Sequence, residues 1–229
     1  MPRLPRTESE VDAFRSQILD EALGLFVEAG WEGFSMRKLG ARLGIAAKTI
    51  YNYVHSRDEI YLELLIRGFQ ELHEALTTAI GVHTDPWEQM GAMVEAYLEF
   101  GLGHPHLYDL MFSWRVPRYD DYVGTPLERL ALVELGAALD NQRLMAQLVT
   151  ACLIHAGPVS EEDLRFVVVR AWTQLHGYIA GVNATIVGYM HPEPEAIRPR
   201  MLEHIRSSIL TEIAQLHSSP VPNTSGGFR

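Results

Sequence analysis

The stretch from Gly40 to Ile60 reads GARLGIAAKTIYNYVHSRDEI, and its pattern decides the fold of the chain around it. Just upstream, Ser35 is a suitable N-cap residue, and the apolar residues that follow it have helical spacing. Gly44 ends this pattern, so the sequence predicts a short helix between Ser35 and Gly44. After a turn, a second short helix is predicted over residues 47–54. Two short helices joined through a glycine-containing turn are typical of a helix-turn-helix module.

The second short helix is predicted to present polar side chains on its outer face. Its apolar residues Ile50 and Val54 can pack against an amphipathic first helix predicted over residues 10–29. A helix of this width fits the major groove of DNA. The positions left facing outward are Ala47, Lys48, Thr49, Asn52 and Tyr53.

Positive charge is concentrated in this segment of an otherwise acidic protein. The 229 residues carry a formal charge of −10, whereas residues 35–57 contain five basic and no acidic side chains. The only two lysines of the chain, Lys38 and Lys48, lie among them. A local basic surface neutralises phosphates while the acidic remainder repels DNA. Taken alone, the same cluster is also consistent with a solvated helix face.

Helical periodicity continues downstream, so the predicted fold class is all-α. Further helices are predicted to begin near Arg57, Asp85, His104 and Ser160, where capping residues or prolines precede apolar stripes. Residues 115–126 are predicted to form a loop. Cys152 lies in an apolar run and is expected to be a small buried residue.

The predicted organisation has three parts. An N-terminal arm and DNA-binding module occupy residues 1–56, a larger helical domain occupies residues 57–217, and a disordered tail occupies residues 218–229. Hydrophobic residues make up 47% of the chain, which is ample for a packed core. Neither an apolar run of about 18 residues nor a signal-peptide core is present, so no membrane segment and a cytoplasmic location are expected.

Catalytic and metal-binding patterns are missing from the sequence. His104 and His106 lack a second ligand pair, and His73 lacks the following histidine of a zinc protease helix. The sequence has no nucleophile elbow and no phosphate-binding glycine loop. It therefore predicts no enzyme activity, no metal and no cofactor.

The segment from Ile18 to Leu65 closely resembles the TetR family of transcriptional regulators. The matching residues are ALGLFVEAGWEGFSMRKLGARLGIAAKTIYNYVHSRDEI, a long ordered pattern that is more specific than a bare helix-turn-helix. The resemblance implies that the second short helix contacts bases and phosphates, that Tyr51 reaches phosphate, and that Arg57 replaces a lysine. The implied DNA-binding residues are Arg37, Ala47, Lys48, Thr49, Tyr51, Asn52, Tyr53 and Arg57.

Several alternatives stay open in this segment. Tyr51 and Tyr53 could be packing residues, and Arg42 is expected to face solvent rather than DNA. Arg3 and Arg6 could reach the minor groove or belong to an unstructured tail.

The resemblance also implies that the helical domain binds a small molecule and dimerises through its last two helices. The segment AWTQLHGYIAG is similar to the W-x-x-x-H-G signature of one TetR subgroup. Trp172 and His176 are one helical turn apart and are predicted to share a face, either as a pocket wall or interface contact or as part of the core.

An apolar pocket with a few polar groups would suit a hydrophobic or aromatic effector, although methionines and aromatics at helical spacing are also ordinary core residues. The candidate ligand-binding residues are Met93, Tyr97, Phe100, Tyr108, Met111, Phe112, Trp172 and His176.

The sequence thus predicts a ligand-responsive regulator, most simply a repressor, that binds a palindromic double-stranded DNA operator as a homodimer and is released by a small molecule. The alternatives are a TetR-like activator and a helical small-molecule-binding scaffold that binds no operator.

Overall fold

The computed structural model describes residues 7–112, 116–153 and 160–218, and every regular element in these ranges is a helix. This confirms the predicted all-α class. The helices are α1 (Glu8–Gly33), α2 (Met36–Leu43), α3 (Ala47–Ile50), α4 (Arg57–Gly81), α5 (Pro86–Gly103), α6 (Pro105–Phe112), α7 (Tyr119–Tyr122), α8 (Glu128–Cys152), α9 (Glu161–Asn183), α10 (Ile186–Met190) and α11 (Pro194–Ser218).

Two sequence predictions fall outside these ranges. The arm with Arg3 and Arg6 precedes the first described residue, and the predicted tail lies beyond the end of α11 except for Ser218. Within the described ranges, no helix is long and apolar enough to cross a membrane.

Internal contacts divide the chain into two compact units. Unit 1 comprises residues 1–70 and 106–138, and unit 2 comprises residues 71–105 and 139–229. The division differs from the predicted boundary at residue 56 because the start of α4 packs with α1, and the later helices α6 and α7 pack on α4. The boundary at residue 56 stays a prediction.

A break at Gly30 shapes the end of α1 in unit 1. Gly30 has φ 69° and ψ 177°, a backbone conformation that residues with a side chain rarely adopt. After this break the chain makes one more turn, which stacks Trp31 on Phe26 with ring centroids 5.6 Å apart. The edge of Tyr61 from α4 meets Trp31 at 5.1 Å. The break therefore brings α1 and α4 into one aromatic core.

The first helix of the predicted helix-turn-helix is confirmed. The Ser35 hydroxyl accepts a hydrogen bond from the Lys38 amide at 3.2 Å and so caps α2. Gly44 ends the helix in the left-handed conformation, with φ 66° and ψ 26°.

The second helix is shorter than predicted. The α-helix α3 ends at Ile50, so the prediction that it continues to Val54 is wrong. Beyond Ile50 the chain forms tight turns, in which the Tyr53 amide donates to the Ile50 carbonyl at 2.8 Å. Bonds of this three-residue span tighten the chain and draw Val54 fully into the core.

Gly40 allows α2, the turn and α3 to come together. The Ile45 amide donates to the Gly40 carbonyl at 2.9 Å. A Cβ atom at Gly40 would lie 2.8 Å from the Ile45 carbonyl oxygen and 3.1 Å from the Ala47 nitrogen. Since both are backbone atoms, only glycine fits this turn without a shift of the main chain.

The helices α6 and α7 pack on α4 within unit 1. A Cβ at Gly68 would meet the Met111 sulfur at 2.6 Å, which shows how closely α6 approaches. The Tyr122 hydroxyl lies 3.3 Å from an Asp58 carboxylate oxygen. Tyr122 belongs to α7, so the prediction that residues 115–126 form only a loop is wrong.

Unit 2 is built around α5, α9 and α11, which contact one another pairwise. Gly101 of α5 lies against Ile179 of α9, and its carbonyl accepts a hydrogen bond from the Asn183 amide group at 3.1 Å. The guanidinium group of Arg206 on α11 lies over Gly91 of α5. Small residues on α5 therefore let both neighbouring helices approach closely.

We expect Gly40→Val to lower the free energy of unfolding by about 1–3 kcal/mol, because the added side chain would collide with backbone atoms of the turn. Chemical denaturation measures the change. Gly136→Val is the matched control, since a Cβ at Gly136 meets no heavy atom within 4 Å. Equal unfolding midpoints for the two variants would contradict the close approach described for Gly40.

Candidate nucleic-acid interface

Arg42 fixes α2 against α1. Its guanidinium group bonds to Glu21 at 3.0 Å and Glu28 at 2.8 Å, two carboxylates that lie two helical turns apart on α1. Between them, a Cβ at Gly24 would come within 3.0 Å of the same group. The hydrogen bonds that Arg42 donates to Glu28 and Glu21 raise its pKa above the usual value. Arg42 is therefore an exposed residue whose charge is paired with two carboxylates of α1.

Lys38 also serves the module internally. Its ammonium group donates to the Gly33 carbonyl at 2.7 Å. This carbonyl is in the last turn of α1, where unpaired carbonyl groups concentrate negative partial charge. One of the two lysines of the chain thus stabilises a helix end.

Arg57, at the first position of α4, is held by Trp31. Its guanidinium carbon lies 3.9 Å from the centroid of the Trp31 ring, and one of its nitrogens donates to the Trp31 carbonyl at 3.0 Å. The side chain is half-buried. The phosphate contact implied for Arg57 stays a prediction, but the structure shows that Arg57 also joins α1 to α4.

Two basic side chains of the segment remain available. Arg37 on α2 and Lys48 on α3 are exposed, and neither has a hydrogen-bond or ion-pair partner among the described residues. The exposed side chains of Tyr51 and Asn52 likewise have no polar partner in the described part of the chain, and Tyr51 is 48% exposed. These four side chains could all bond to a ligand without breaking a contact.

The other predicted DNA-binding residues are half-buried. Tyr53 packs edge-on against Phe14 of α1, with ring centroids 4.9 Å apart. Ala47 and Thr49 belong to α3. Their side chains are small, so the backbone of α3 could come close to a ligand. The sequence left open whether Tyr51 and Tyr53 are packing residues. In the structure Tyr53 packs on α1, whereas Tyr51 points to solvent.

His55 is a polar residue at this surface that the sequence analysis did not single out. Its side chain is 85% exposed, and its Nδ1 atom lies 3.0 Å from the Glu59 carboxylate. The sequence feature that could have indicated His55 is its position between the second short helix and α4. Formal charge counts hide it, because they treat histidine as neutral.

The candidate effector residues lie in both units. Met93, Tyr97 and Phe100 are buried on α5 in unit 2, whereas Tyr108 and Met111 are buried on α6 in unit 1. Phe112, also on α6, is half-buried. Their role in ligand binding stays a prediction.

Trp172 and His176 share a face of α9, as predicted. Their rings stack 4.8 Å apart with an interplanar angle of 11°. Trp172 is 39% exposed, so it does not lie in the closed core of unit 2. Ligand binding by this pair stays a prediction.

The described residues contain no group of three or more histidine, cysteine, aspartate or glutamate side chains that could hold a metal ion. Cys152 is buried, and its burial raises the pKa of the thiol to about 11. A thiol in this state is a poor nucleophile.

These features define a class: an all-helical protein that carries a helix-turn-helix module whose outer face is polar and basic. Two family models match the chain. One, described as "Bacterial regulatory proteins, tetR family", matches residues 18–64. The other, described as "Tetracyclin repressor-like, C-terminal domain", matches residues 90–205. The chain belongs to the TetR family of bacterial regulatory proteins.

The individual relatives share only moderate sequence identity with this chain. The HTH-type transcriptional activator FasR of Mycolicibacterium smegmatis is 31% identical over 124 residues, which are 54% of this chain and 52% of FasR. The chain spans about half the length of the curated relatives it matches. The W-x-x-x-H-G subgroup resemblance stays a prediction.

Solved structures support the same fold. The TetR family regulator PfmR from Thermus thermophilus has a TM-score of 0.61 at 19% identity, covering 86% of this chain and 97% of PfmR. A TetR-like regulator from a Rhodococcus species has a TM-score of 0.60 at 19% identity, covering 93% of this chain and 97% of that protein.

Arg57→Lys is expected to lower the free energy of unfolding by about 1 kcal/mol, because lysine keeps the charge but loses the planar stacking on Trp31. Thermal or chemical denaturation measures the change. Arg37→Lys is the matched control, since Arg37 is exposed and has no partner among the described residues. If both variants unfold like the parent protein, the contact between Arg57 and Trp31 contributes nothing.

Proposed function

We propose that this protein is a sequence-specific, DNA-binding transcriptional regulator whose α2, turn and α3 form the DNA-contacting surface. One observation carries the proposal. Of five basic side chains in residues 35–57, three are engaged within the module, and Arg37 and Lys48 have no partner in the described part of the chain. Lys48 is three residues from Tyr51 and four from Asn52, and both of these side chains are exposed. A cation on a short helix, followed by hydrogen-bonding side chains in the turn after it, suits phosphates and base edges in the major groove.

The proposed active form is a homodimer that binds a palindromic operator. A two-fold symmetric pair places two helix-turn-helix modules about one DNA turn, or a multiple of it, apart. We expect the dimer to form through the last two long helices, α9 and α11. The exposed side of α9 supports this expectation. This side carries an exposed apolar row of Phe166, Val169 and Trp172, which are 61%, 58% and 39% exposed. Apolar rows of this kind mark interaction surfaces.

The proposed effector is a small hydrophobic or aromatic molecule that binds the helical part of the chain. Support comes from the candidate residues Met93, Tyr97 and Phe100, which are buried on α5 in unit 2. A ligand changes DNA binding only if its affinity differs between the DNA-binding and DNA-free conformations. Release of the operator by the effector is the simplest form of this coupling. The cytoplasmic location expected from the sequence stays a prediction.

Repression is the first proposal for the regulatory outcome, and activation is the second. The activator is favoured by one specific observation, since FasR, at 31% identity, is named a transcriptional activator. The position of the operator relative to a promoter decides between them. A scaffold whose basic residues meet an acidic protein fits less well, because residues 18–64 match the model described as "Bacterial regulatory proteins, tetR family".

We expect the purified protein to select one palindromic sequence from a random DNA pool at near-physiological salt. Lys48→Ala and Tyr51→Ala should each weaken binding to that sequence by about 1–3 kcal/mol for the dimer, because each removes a contact in both half-sites. Fluorescence anisotropy measures the affinity, and circular dichroism checks that the variants remain folded.

Arg129→Ala is the charge-matched control, since Arg129 is an exposed basic residue on α8, outside the basic segment. Folded Lys48 and Tyr51 variants with the affinity of the parent protein would exclude the assigned surface. Recovery of no preferred sequence would favour the scaffold.

Phe166→Asp is expected to convert the dimer to a monomer at micromolar concentration, because it places a charge in the apolar row of α9. Analytical ultracentrifugation measures the mass. Val133→Asp on α8 is the control, since Val133 is exposed to a similar degree, 51%. A dimeric Phe166 variant would rule out this face of α9.

A further inference from the structure

His55 is exposed and follows the exposed residues of the helix-turn-helix closely in sequence. It follows the turns after α3 and precedes Ser56, whose hydroxyl accepts the Glu59 amide of α4 at 3.0 Å. The imidazole is three residues from exposed Asn52 and four from exposed Tyr51. Its side chain is 85% exposed.

A buried carboxylate fixes the orientation of this imidazole. One oxygen of Glu59 accepts both the His55 amide at 2.7 Å and a bond from His55 Nδ1 at 3.0 Å. The Glu59 side chain is only 11% exposed. Its other oxygen bonds to Arg15 of α1 at 3.2 Å, and Arg15 also pairs with Glu63. A carboxylate held from two helices is a rigid support for the exposed ring.

The bond to Glu59 determines what the other ring nitrogen can do. Because a carboxylate accepts and does not donate, Nδ1 must carry a proton in this bond. In the neutral ring Nε2 is then an acceptor, which repels a phosphate oxygen. In the imidazolium ion Nε2 is also a donor and can bond to phosphate. Phosphate contact therefore requires the protonated ring.

We propose that His55 is a proton-dependent phosphate contact of the DNA-binding surface, with Glu59 as its positioning residue. This inference rests on the proposed operator binding. The groups whose charge acts on the ring are Glu59 on α4, in direct contact, and Arg15 on α1 behind it, itself balanced by Glu63. DNA phosphate adds a negative charge on the exposed side, so binding takes up a proton and operator affinity rises as pH falls.

The test uses the full-length protein and the palindromic duplex that it selects from the random pool. Affinity is measured by fluorescence anisotropy from about pH 5.5 to about pH 8.5, on either side of the ordinary histidine pKa, at constant ionic strength. For two contacts per dimer we expect roughly tenfold tighter binding at the acidic end. At the acidic end, the slope of log affinity against log salt should be steeper by about 2 than at the basic end.

Two substitutions at the same position separate charge from structure. His55→Gln should lose most of the pH dependence and bind like the parent protein at basic pH. His55→Lys should bind tightly with a flat profile across the range. His106→Gln, at an exposed histidine on α6, is the control and should keep the parent profile.

The outcomes are distinguishable. A pH profile of the His55→Gln variant that matches the parent protein would overturn the proposal, as would an equal loss of affinity at every pH, which indicates a structural role only. Failure of the parent protein to bind any duplex specifically at any pH would overturn the proposed function itself and this inference with it.

Discussion

The closure of the turn between α2 and α3 is the constraint on which the proposed DNA-contacting surface depends. The Gly40 carbonyl accepts the Ile45 amide at 2.9 Å, and no side chain at Gly40 separates α2 from the start of α3. Because this turn is tight, Ile50 and Val54 reach the core and are fully buried. Their burial fixes the rotation of α3 and the following turns, so that Lys48 and Tyr51 point to solvent. The chemistry of the surface thus follows from a backbone contact beneath it.

The basic side chains of residues 35–57 divide into two groups with different roles. Arg42, Lys38 and Arg57 bind carboxylates, a carbonyl group and an aromatic ring of the module, and they hold α1, α2 and α4 together. Arg37 and Lys48 have no polar partner among the described residues. A charged side chain that already has good partners gains little from a phosphate, whereas an unpaired one gains the full contact. In the described part of the chain, fewer of these positive charges lack a partner than the sequence suggests.

Much of the fold could be predicted from local signals. Ser35, Gly44 and Ser160 mark helix ends through hydrogen bonds within a few residues of sequence, and the structure contains all three. The errors arose where local signals are weak. The Tyr119–Tyr122 helix lies in a segment rich in turn residues, and α3 ends early because its chain tightens after Ile50. The residue types of the candidate surface could be predicted from the sequence. Which of its charged side chains are paired within the described residues could not. Partners such as Glu21 and Trp31 are distant in sequence and become neighbours only on folding.

The sequence by itself determined the helical class, the position of the helix-turn-helix and the family, because these depend on periodicity, capping residues and an ordered motif. Only the tertiary structure decided that Arg42 and Lys38 have polar partners on α1, that Tyr51 is exposed while Tyr53 packs on Phe14, and that His55 is held by a buried carboxylate. The physical reason is the range of the interactions. Helix formation and turns are set by neighbours along the chain, whereas the partners of a charged or aromatic side chain are chosen by the packing of helices far apart in sequence.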